Sequence, residues 1–374
     1  MVIAPTSGGS PGTFATRVAR LHADLARDGV PLADMRRAQS LELHMAGTPD
    51  RPSRPSGRTP GVEPVEGPIE SRVVPPLPTN ASGLRYFLDG AQRTFLVWRC
   101  GLVPVVATVA AAAVLTRDAA GRCEVVPGTL RLAHAFLIPR RNPASALADV
   151  LRRIDGLGME VVDPLAAIED DGDYAAAVAD YGHLVELAYK AANGVRKGLE
   201  EDLLRVWAAD PARATDPGWL VVDGSLRIAA PRAIGLVKQF TDPYLAGADA
   251  ETLLMLAPGS RTTAFRPRPS DWRRQIRTDA VDGDDEADTA PTLWYLRLWD
   301  AAGLDARHAL IRVEAGPDVR ETARIDELSA WLMCERTPRA TGDARWATLL
   351  YPVHFLERIL KRRLEADTRG WPGG

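Results

Sequence analysis

An acid that closes a run of large apolar residues and is followed by glycine reads as a carboxylate delivered by a buried strand. The chain has two such steps, Leu84-Arg85-Tyr86-Phe87-Leu88-Asp89-Gly90-Ala91 and Trp219-Leu220-Val221-Val222-Asp223-Gly224-Ser225-Leu226. Two converging carboxylates suit a hard divalent cation, because fully charged oxygen ligands match Mg²⁺ or Mn²⁺. Taken singly, each Asp-Gly is more often just a turn dipeptide. The pair, with Lys238 and further acids downstream, points to a site.

Further candidates follow along the chain. Glu200-Glu201-Asp202 lies about twenty residues before Asp223, and Arg196 and Glu200 stand at i and i+4, on one helix face. A solvated charged patch is the plainer reading of each acid; the functional one is a third carboxylate packing toward the strands. Three carboxylates can hold two metal ions about 3.5–4 Å apart and clamp the attacking and leaving oxygens of a phosphodiester. Lys238, on the apolar segment Ile234-Gly235-Leu236-Val237-Lys238, is either an edge residue or a contact for the scissile phosphate. Glu314 is a further ligand or a solvent-facing strand end. The five arginines of residues 266–277, with Trp272 among them, form either a solvated loop or a stacking, phosphate-binding segment for single-stranded nucleic acid. His354, beside Tyr351-Pro352, is the best placed histidine; His134, His183 and His308 have no convergent partner in sequence. No phosphate-cradling glycine loop, Ser-His-Asp order or zinc-ligand spacing is visible.

The elements that must position these residues belong to an α/β chain. At 374 residues, 46% hydrophobic and 25% charged, it is long enough for a substantial core and ordinary for a globular protein. A net charge of −3 leaves nucleic-acid binding to a local basic groove. Three widely spaced cysteines, Cys100, Cys123 and Cys334, give no disulfide framework, so a reducing cytoplasm is expected. No signal peptide is expected at the start. The most apolar stretch, Gly101 to Leu115, is about 15 residues against the ~20 of a membrane helix, so no membrane association is expected.

Residues 1–45 read as an N-terminal helical segment, with apolar spacing over 14–28 and again over Leu32–Met45. Residues 46–80, dense in Pro and Gly, read as a linker or mobile loop. Residues 81–374 form the main domain. It begins with an antiparallel meander in which Leu84–Leu88, a turn at Gly90-Ala91-Gln92 and Arg93–Arg99 are followed by strands at Val103–Leu115 and Cys123–Val126. Helices are expected over Asn142–Ile154 and Tyr174–Trp207, strands around Asp223 and over Ala233–Phe240, a helix near Asp249–Leu256 and a charged loop over Arg266–Pro291. Paired strands at Thr292–Leu298 and Ala309–Glu314 precede helices at Asp326–Met333 and Leu349–Leu364.

The ordered set Leu88-Asp89-Gly90, Arg196-Lys197-Gly198-Leu199-Glu200, Val222-Asp223-Gly224-Ser225-Leu226, Val237-Lys238, Arg312-Val313-Glu314 and Tyr351-Pro352 resembles the NurA nucleases, partners of the HerA hexameric translocase, over roughly residues 80–365. The resemblance implies an RNase H-like mixed sheet flanked by helices, and a nuclease dependent on Mn²⁺ (or Mg²⁺), with two ions, acting on single- and double-stranded DNA. It also implies a homodimer docked on a HerA-type ATPase, in DNA end processing or defence against invading DNA. Carried over residue by residue, Asp89, Glu200 and Asp223 are the metal ligands, with Glu201 the alternative if the helix register slips by one. The late tyrosine carries over as Tyr351; Lys238 is expected from its strand context to bind phosphate, and whether His354, at a different angle on the helix, joins Tyr351 in positioning water or strand stays open. Two departures stand out. The first motif reads Asp-Gly-Ala where the family has Asp-Gly-Ser, and Ile359 occupies the place of the family's active-site histidine. The second departure supports a rival reading, a catalytically lapsed RNase H-like subunit that binds DNA or serves in assembly.

Overall fold

Thr13 starts helix α1 (Phe14–Arg27) by accepting the amide of Thr16 at its side-chain oxygen, a capping geometry. Phe14, Val18, Leu21 and Leu25 recur at helical spacing and all are buried. The computed structural model describes residues 12–42, 61–77, 82–228, 230–238, 240, 244–268, 272, 290–338 and 346–371.

The second N-terminal helical segment, expected over Leu32–Met45, starts instead as strand β1 (Ala33–Asp34), with Ala33 and Asp34 paired to Arg99 and Trp98. An open strand edge there offers a partner, and that pairing outweighs a weak helical periodicity. The expected linker of residues 46–80 also carries structure: β2 (Val62–Pro64) and β3 (Ser71–Val73) are strands of the sheet. Composition hid them because their anchor is polar. Glu66 receives Arg261 at 2.6 Å in a side-chain pair 0–1% exposed, and accepts the Ala264 amide at 2.6 Å.

The centre is built from β4 (Leu84–Cys100), β5 (Val103–Arg117), β6 (Cys123–Val125) and β7 (Arg131–Leu137). Then come α2 (Ser145–Gly156), β8 (Glu160–Val162), α3 (Asp171–Ala179) and α4 (Tyr181–Ala209). Asp180 splits the predicted long helix, capping α4 through the amide of His183. Next follow α5 (Pro211–Thr215), β9 (Trp219–Asp223), β10 (Ala233–Val237), α6 (Ala248–Leu254), β11 (Ser260–Thr262) and β12 (Phe265–Pro267). The chain ends in β13 (Thr292–Arg297), β14 (Leu310–Ala315), α7 (Thr322–Glu335) and α8 (Tyr351–Asp367).

These strands make one mixed sheet in the order β2-β12-β13-β14-β10-β9-β4-β5-β7-β8, with β1, β3, β6 and β11 paired off that path. β4, β5 and β7 form an antiparallel meander, though not of the expected strands: the first two expected strands are one in β4, and Cys123–Val125 pairs with β5 off the main path, while β9 runs parallel to both β4 and β10. Because successive strand residues point to opposite faces, β4 serves two cores. Phe87, Ala91 and Phe95 pack with Leu21 of α1 and with Leu356 and Leu360 of α8. Leu88 packs on the other face with Val195, Leu199 and Leu203 of α4. The N-terminal helix is therefore part of the main core. Its start is tied to the end of α8 through Asp367, which accepts the Phe14 amide at 3.3 Å and meets His134 Nε2 at 2.5 Å. No helix among the described residues is long and apolar enough to cross a membrane.

Candidate active site

The turn expected at Gly90-Ala91-Gln92 does not exist. β4 is a single strand of 17 residues, and Asp89 and Gly90 sit in its middle opposite Ala113 and Ala112 of β5. The run Ala110–Ala113 is buried without bulk, and an antiparallel ladder continuous from Tyr86 to Leu96 satisfies the backbone on that side. Asp89 is thus delivered by a strand interior, not by a strand end.

Asp223 does close its strand. The parallel ladder pairs Leu88 with Val222, so Asp89 and Asp223 come next on neighbouring strands at the same level. Adjacent strands lie about 4.7–4.9 Å apart, which puts the two carboxylates side by side. Both point to the face covered by α8, since Asp89 alternates with Leu88 and shares parity with Phe87, and Asp223 with Val221. Gly224 then turns the chain away with φ of 128°, a conformation that favours glycine. Gly235 lets that turn lie close on β10: a Cβ there would stand 2.6 Å from the Leu226 nitrogen and 2.7 Å from the Gly224 oxygen.

Glu314 supports this turn and is not a site ligand. Fully buried, it accepts the Leu226 amide at 2.8 Å and pairs with Arg312 at 2.8 Å, with the Ser225 hydroxyl at 3.4 Å. Its hydrogen-bonding capacity is spent on holding the segment after Asp223.

Lys238 lies just beyond β10, and its Nζ is 2.7 Å from Asp223 Oδ2. The side chains are 13% and 22% exposed, which makes this a semi-buried pair at the mouth of the sheet.

Glu200 approaches from α4, and Gly90 makes the approach possible. A Cβ on Gly90 would fall 2.2 Å from Glu200 Oε1 and 3.1 Å from Arg196 Cγ. Arg196, one turn earlier, is ion-paired with Glu200, as the i, i+4 spacing predicts. Glu201 faces elsewhere, pairing with Arg227 at 3.1 Å and Arg205 at 3.8 Å, and Asp202 pairs with Arg205 at 2.6 Å. Of the three consecutive acids, Glu200 is the one turned to β4, on the face opposite the two aspartates but near enough for its charge to act on Asp89.

The electrostatics tie the groups together. Burial pushes the Asp89 carboxyl well above its ordinary range, the charges of Asp223, Glu200 and Glu357 add to the rise, and Lys238 opposes it. Burial likewise raises Glu200, against Arg196 and with the help of Asp223. Asp89 also keeps one short contact of its own, accepting the Gly90 amide at 2.8 Å.

Buried carboxylates that raise one another are what a hard dication relieves, and an all-oxygen donor set from Asp89, Asp223 and Glu200 fits Mn²⁺ or Mg²⁺ in chemistry. Among the described residues no three Asp, Glu, His or Cys side chains stand as a ready metal cage. Lys238 and Arg196 hold two of the three acids, so a bound ion would take over from those cations.

The remaining candidates divide. Tyr351 is the first residue of α8 and is 57% exposed. With about 100° per residue, Tyr351, His354, Arg358 and Lys361 line one side of that helix, away from Leu356 and Leu360. Ile359 packs against the core on the opposite flank. Trp272 is 4% exposed in a cluster with Phe265, Leu293 and Tyr295, so it offers no stacking ring. Arg266 donates to the Pro317 carbonyl, and Arg273, Arg274 and Arg277 lie outside the described residues. Sequence reasoning passed over Glu357, whose charge reaches Asp89 from α8; its one sequence signal is i, i+4 spacing to Lys361. It also read Gly90 as a turn residue, where the space it leaves is what matters. Neither a family model nor a curated protein matches the chain.

Proposed function

We propose that the chain is a metal-dependent deoxyribonuclease of NurA type with an RNase H-like core. The observation that carries the reading is the level pairing of Asp89 and Asp223 on parallel strands, with Glu200 brought close to the same strand from the α4 face, where Gly90 leaves room for it. The antiparallel meander β4-β5-β7 continued by parallel β9 and β10 supports the RNase H-like core. When bound, Mn²⁺ or Mg²⁺ would supply Lewis-acid activation of water and charge neutralisation at the phosphate.

The chain's own residues do the rest. Asp89, Asp223 and Glu200 would hold the ions, two in this reading. Lys238, which pairs with Asp223, would contact the scissile phosphate and offset its developing charge. Arg196 fixes the rotamer of Glu200. Tyr351, exposed beside His354, Arg358 and Lys361, contacts the strand; an aromatic face with neighbouring cations suits single-stranded nucleic acid. A HerA-type hexameric ATPase as partner and a homodimer as the working state follow from the resemblance alone.

Cleavage of labelled linear DNA with Mn²⁺ tests the reading, with wild type and Asp223→Ala, each alone and with a HerA-type ATPase. Metal-dependent cutting lost in Asp223→Ala is the expected outcome. The second reading, a lapsed DNA-binding or assembly subunit, is favoured by Ile359 at the histidine position. It predicts that wild type cuts nothing even with the partner, while salt-dependent DNA binding persists.

A further inference from the structure

We infer that Trp299, Trp346 and Arg336 form a stacking subsite for a base of single-stranded DNA, an inference that rests on the nuclease reading above in taking DNA as the ligand. Of the tryptophans, Trp98, Trp207, Trp219, Trp272, Trp294, Trp331 and Trp371 are buried. The two half-buried ones, Trp299 and Trp346, stand together, with ring centroids 5.6 Å apart and planes inclined at 56°. The Arg336 guanidinium lies 4.1 Å from the centre of the Trp299 ring, and the His308 ring is 6.0 Å from that of Trp346. Fixed contacts hold these groups in place. Arg297, 2% exposed, donates to the carbonyls of His308 at 2.6 Å and Ala306 at 2.8 Å, so a buried cation grips the loop that carries His308. Ala309 beside it has φ of 59°, a conformation rare outside glycine that its surroundings must maintain. Arg336 donates to the Leu298 carbonyl at 2.9 Å, one residue before Trp299. Among the described residues, Trp299 Nε1 and His308 Nε2 are buried without a hydrogen-bond partner, a donor and a ring nitrogen that an inserted base edge would engage.

The register of the sheet locates the cluster. Leu236 is level with Asp223, Val237 with Arg312 and Leu310 with Arg297. The end of β13 and the start of β14 therefore lie at the same end of the sheet as Asp223 and Lys238. Trp299 stands three strands across from Asp223 and about five residues further on, a separation of about 20 Å. At about 3.4 Å per stacked nucleotide, a strand held at both places covers roughly six nucleotides. Tyr351 adjoins the cluster, since it follows Leu350, whose backbone bridges to Arg336. Asp300 and Asp305 are exposed in the loop between Trp299 and His308, and Asp305 pairs with Arg307 at 3.2 Å. With acids standing beside the cations, phosphate attraction is weak here, and the ligand these rings suit is the π-face that every base carries.

The test is fluorescence anisotropy of the full-length chain in chelator, with a labelled oligothymidine about twice that length and an abasic strand of equal length, which keeps the phosphates but has no bases. Circular dichroism checks folding. Wild type binds the oligothymidine more tightly than the abasic strand. Trp346→Ala loses at least about 5-fold on the oligothymidine and nothing on the abasic strand, while Trp346→Phe, which keeps a ring, recovers most of the loss. Arg336→Gln gives a smaller loss of the same base-dependent kind and serves as the readout should Trp346→Ala misfold. Folded variants that bind the oligothymidine within twofold of wild type, or that lose equally on both strands, would overturn the subsite. Mn²⁺-dependent cleavage by wild type, lost in Asp223→Ala, would then leave the nuclease reading standing. Base-dependent binding that needs Trp346 in a chain that cuts nothing would keep the subsite and favour the lapsed DNA-binding reading. A wild type that binds neither strand would overturn the subsite.

Discussion

Adding one methyl group at Gly90 is the sharpest way to ask whether Glu200 belongs to the reacting arrangement. The new Cβ would lie 2.2 Å from Glu200 Oε1, and ordinary contact begins near 3.4 Å, so the carboxylate must retreat by about 1.2 Å. Arg196 cannot absorb the change freely, because its Cγ would already stand at 3.1 Å. Misplacing a catalytic group by about 1 Å costs on the order of 100-fold, or about 2.7 kcal/mol of transition-state stabilisation. Stability responds much less. Alanine is favoured over glycine inside a strand by about 0.5–1 kcal/mol, against roughly 1–3 kcal/mol for overpacking. Gly90→Ala should therefore fold, with a net loss below about 2.5 kcal/mol by denaturant titration, while Mn²⁺-dependent cleavage drops about 100-fold. Shortening the acid in the double variant Gly90→Ala/Glu200→Asp withdraws it by about 1.5 Å and should recover part of the rate. A folded Gly90→Ala protein that cleaves within threefold of wild type would refute the placement of Glu200.

Other substitutions probe separate parts of the argument. Asp89→Asn should abolish cleavage yet stabilise the metal-free fold. The folded-state carboxyl is raised above its unfolded value, so the native state holds its proton longer and wild-type stability falls as pH rises between the two. The advantage of the variant should accordingly grow from about pH 4 upward, at about 1.4 kcal/mol per unit of displacement; unfolding curves in chelator that are parallel across pH would contradict this. Glu314→Gln strands the buried Arg312 guanidinium and should cost about 3–5 kcal/mol of stability, read from the denaturation midpoint; a loss under 1 kcal/mol would show that the turn after Asp223 needs no such support. Glu200→Gln should lower cleavage at least 100-fold while Glu201→Gln, engaged with Arg227 and Arg205, changes it less than threefold, and equal effects would mean the helix face is wrongly assigned.

Much of the scaffold is legible in local pattern. Leu84–Leu88 and Trp219–Val222 read as buried strands, and Phe14, Val18, Leu21 and Leu25 as a helix face, because a 2.0 or 3.6 repeat of apolar residues encodes which side must leave water. Gly224 was readable too, since an acid followed by glycine at a strand end calls for a left-handed residue. The departures share one cause. β1, β2 and β3 are short, half-polar pieces that become strands only because an edge elsewhere accepts them, and Glu66 finds Arg261 nearly two hundred residues away.

The sequence by itself determined the carriers of the carboxylates, two strands and one helix, together with the i, i+4 pairing of Arg196 with Glu200. Only the tertiary structure decided what those carriers do. Leu88 aligned with Val222 levels the two aspartates, and the missing side chain of Gly90 serves to admit Glu200 rather than to turn the chain. Glu314 is drawn inside to brace the turn after Asp223. Side-chain periodicity is a property of neighbours along the chain, whereas the register between strands and the spaces between elements are fixed only when segments far apart in sequence bury one another.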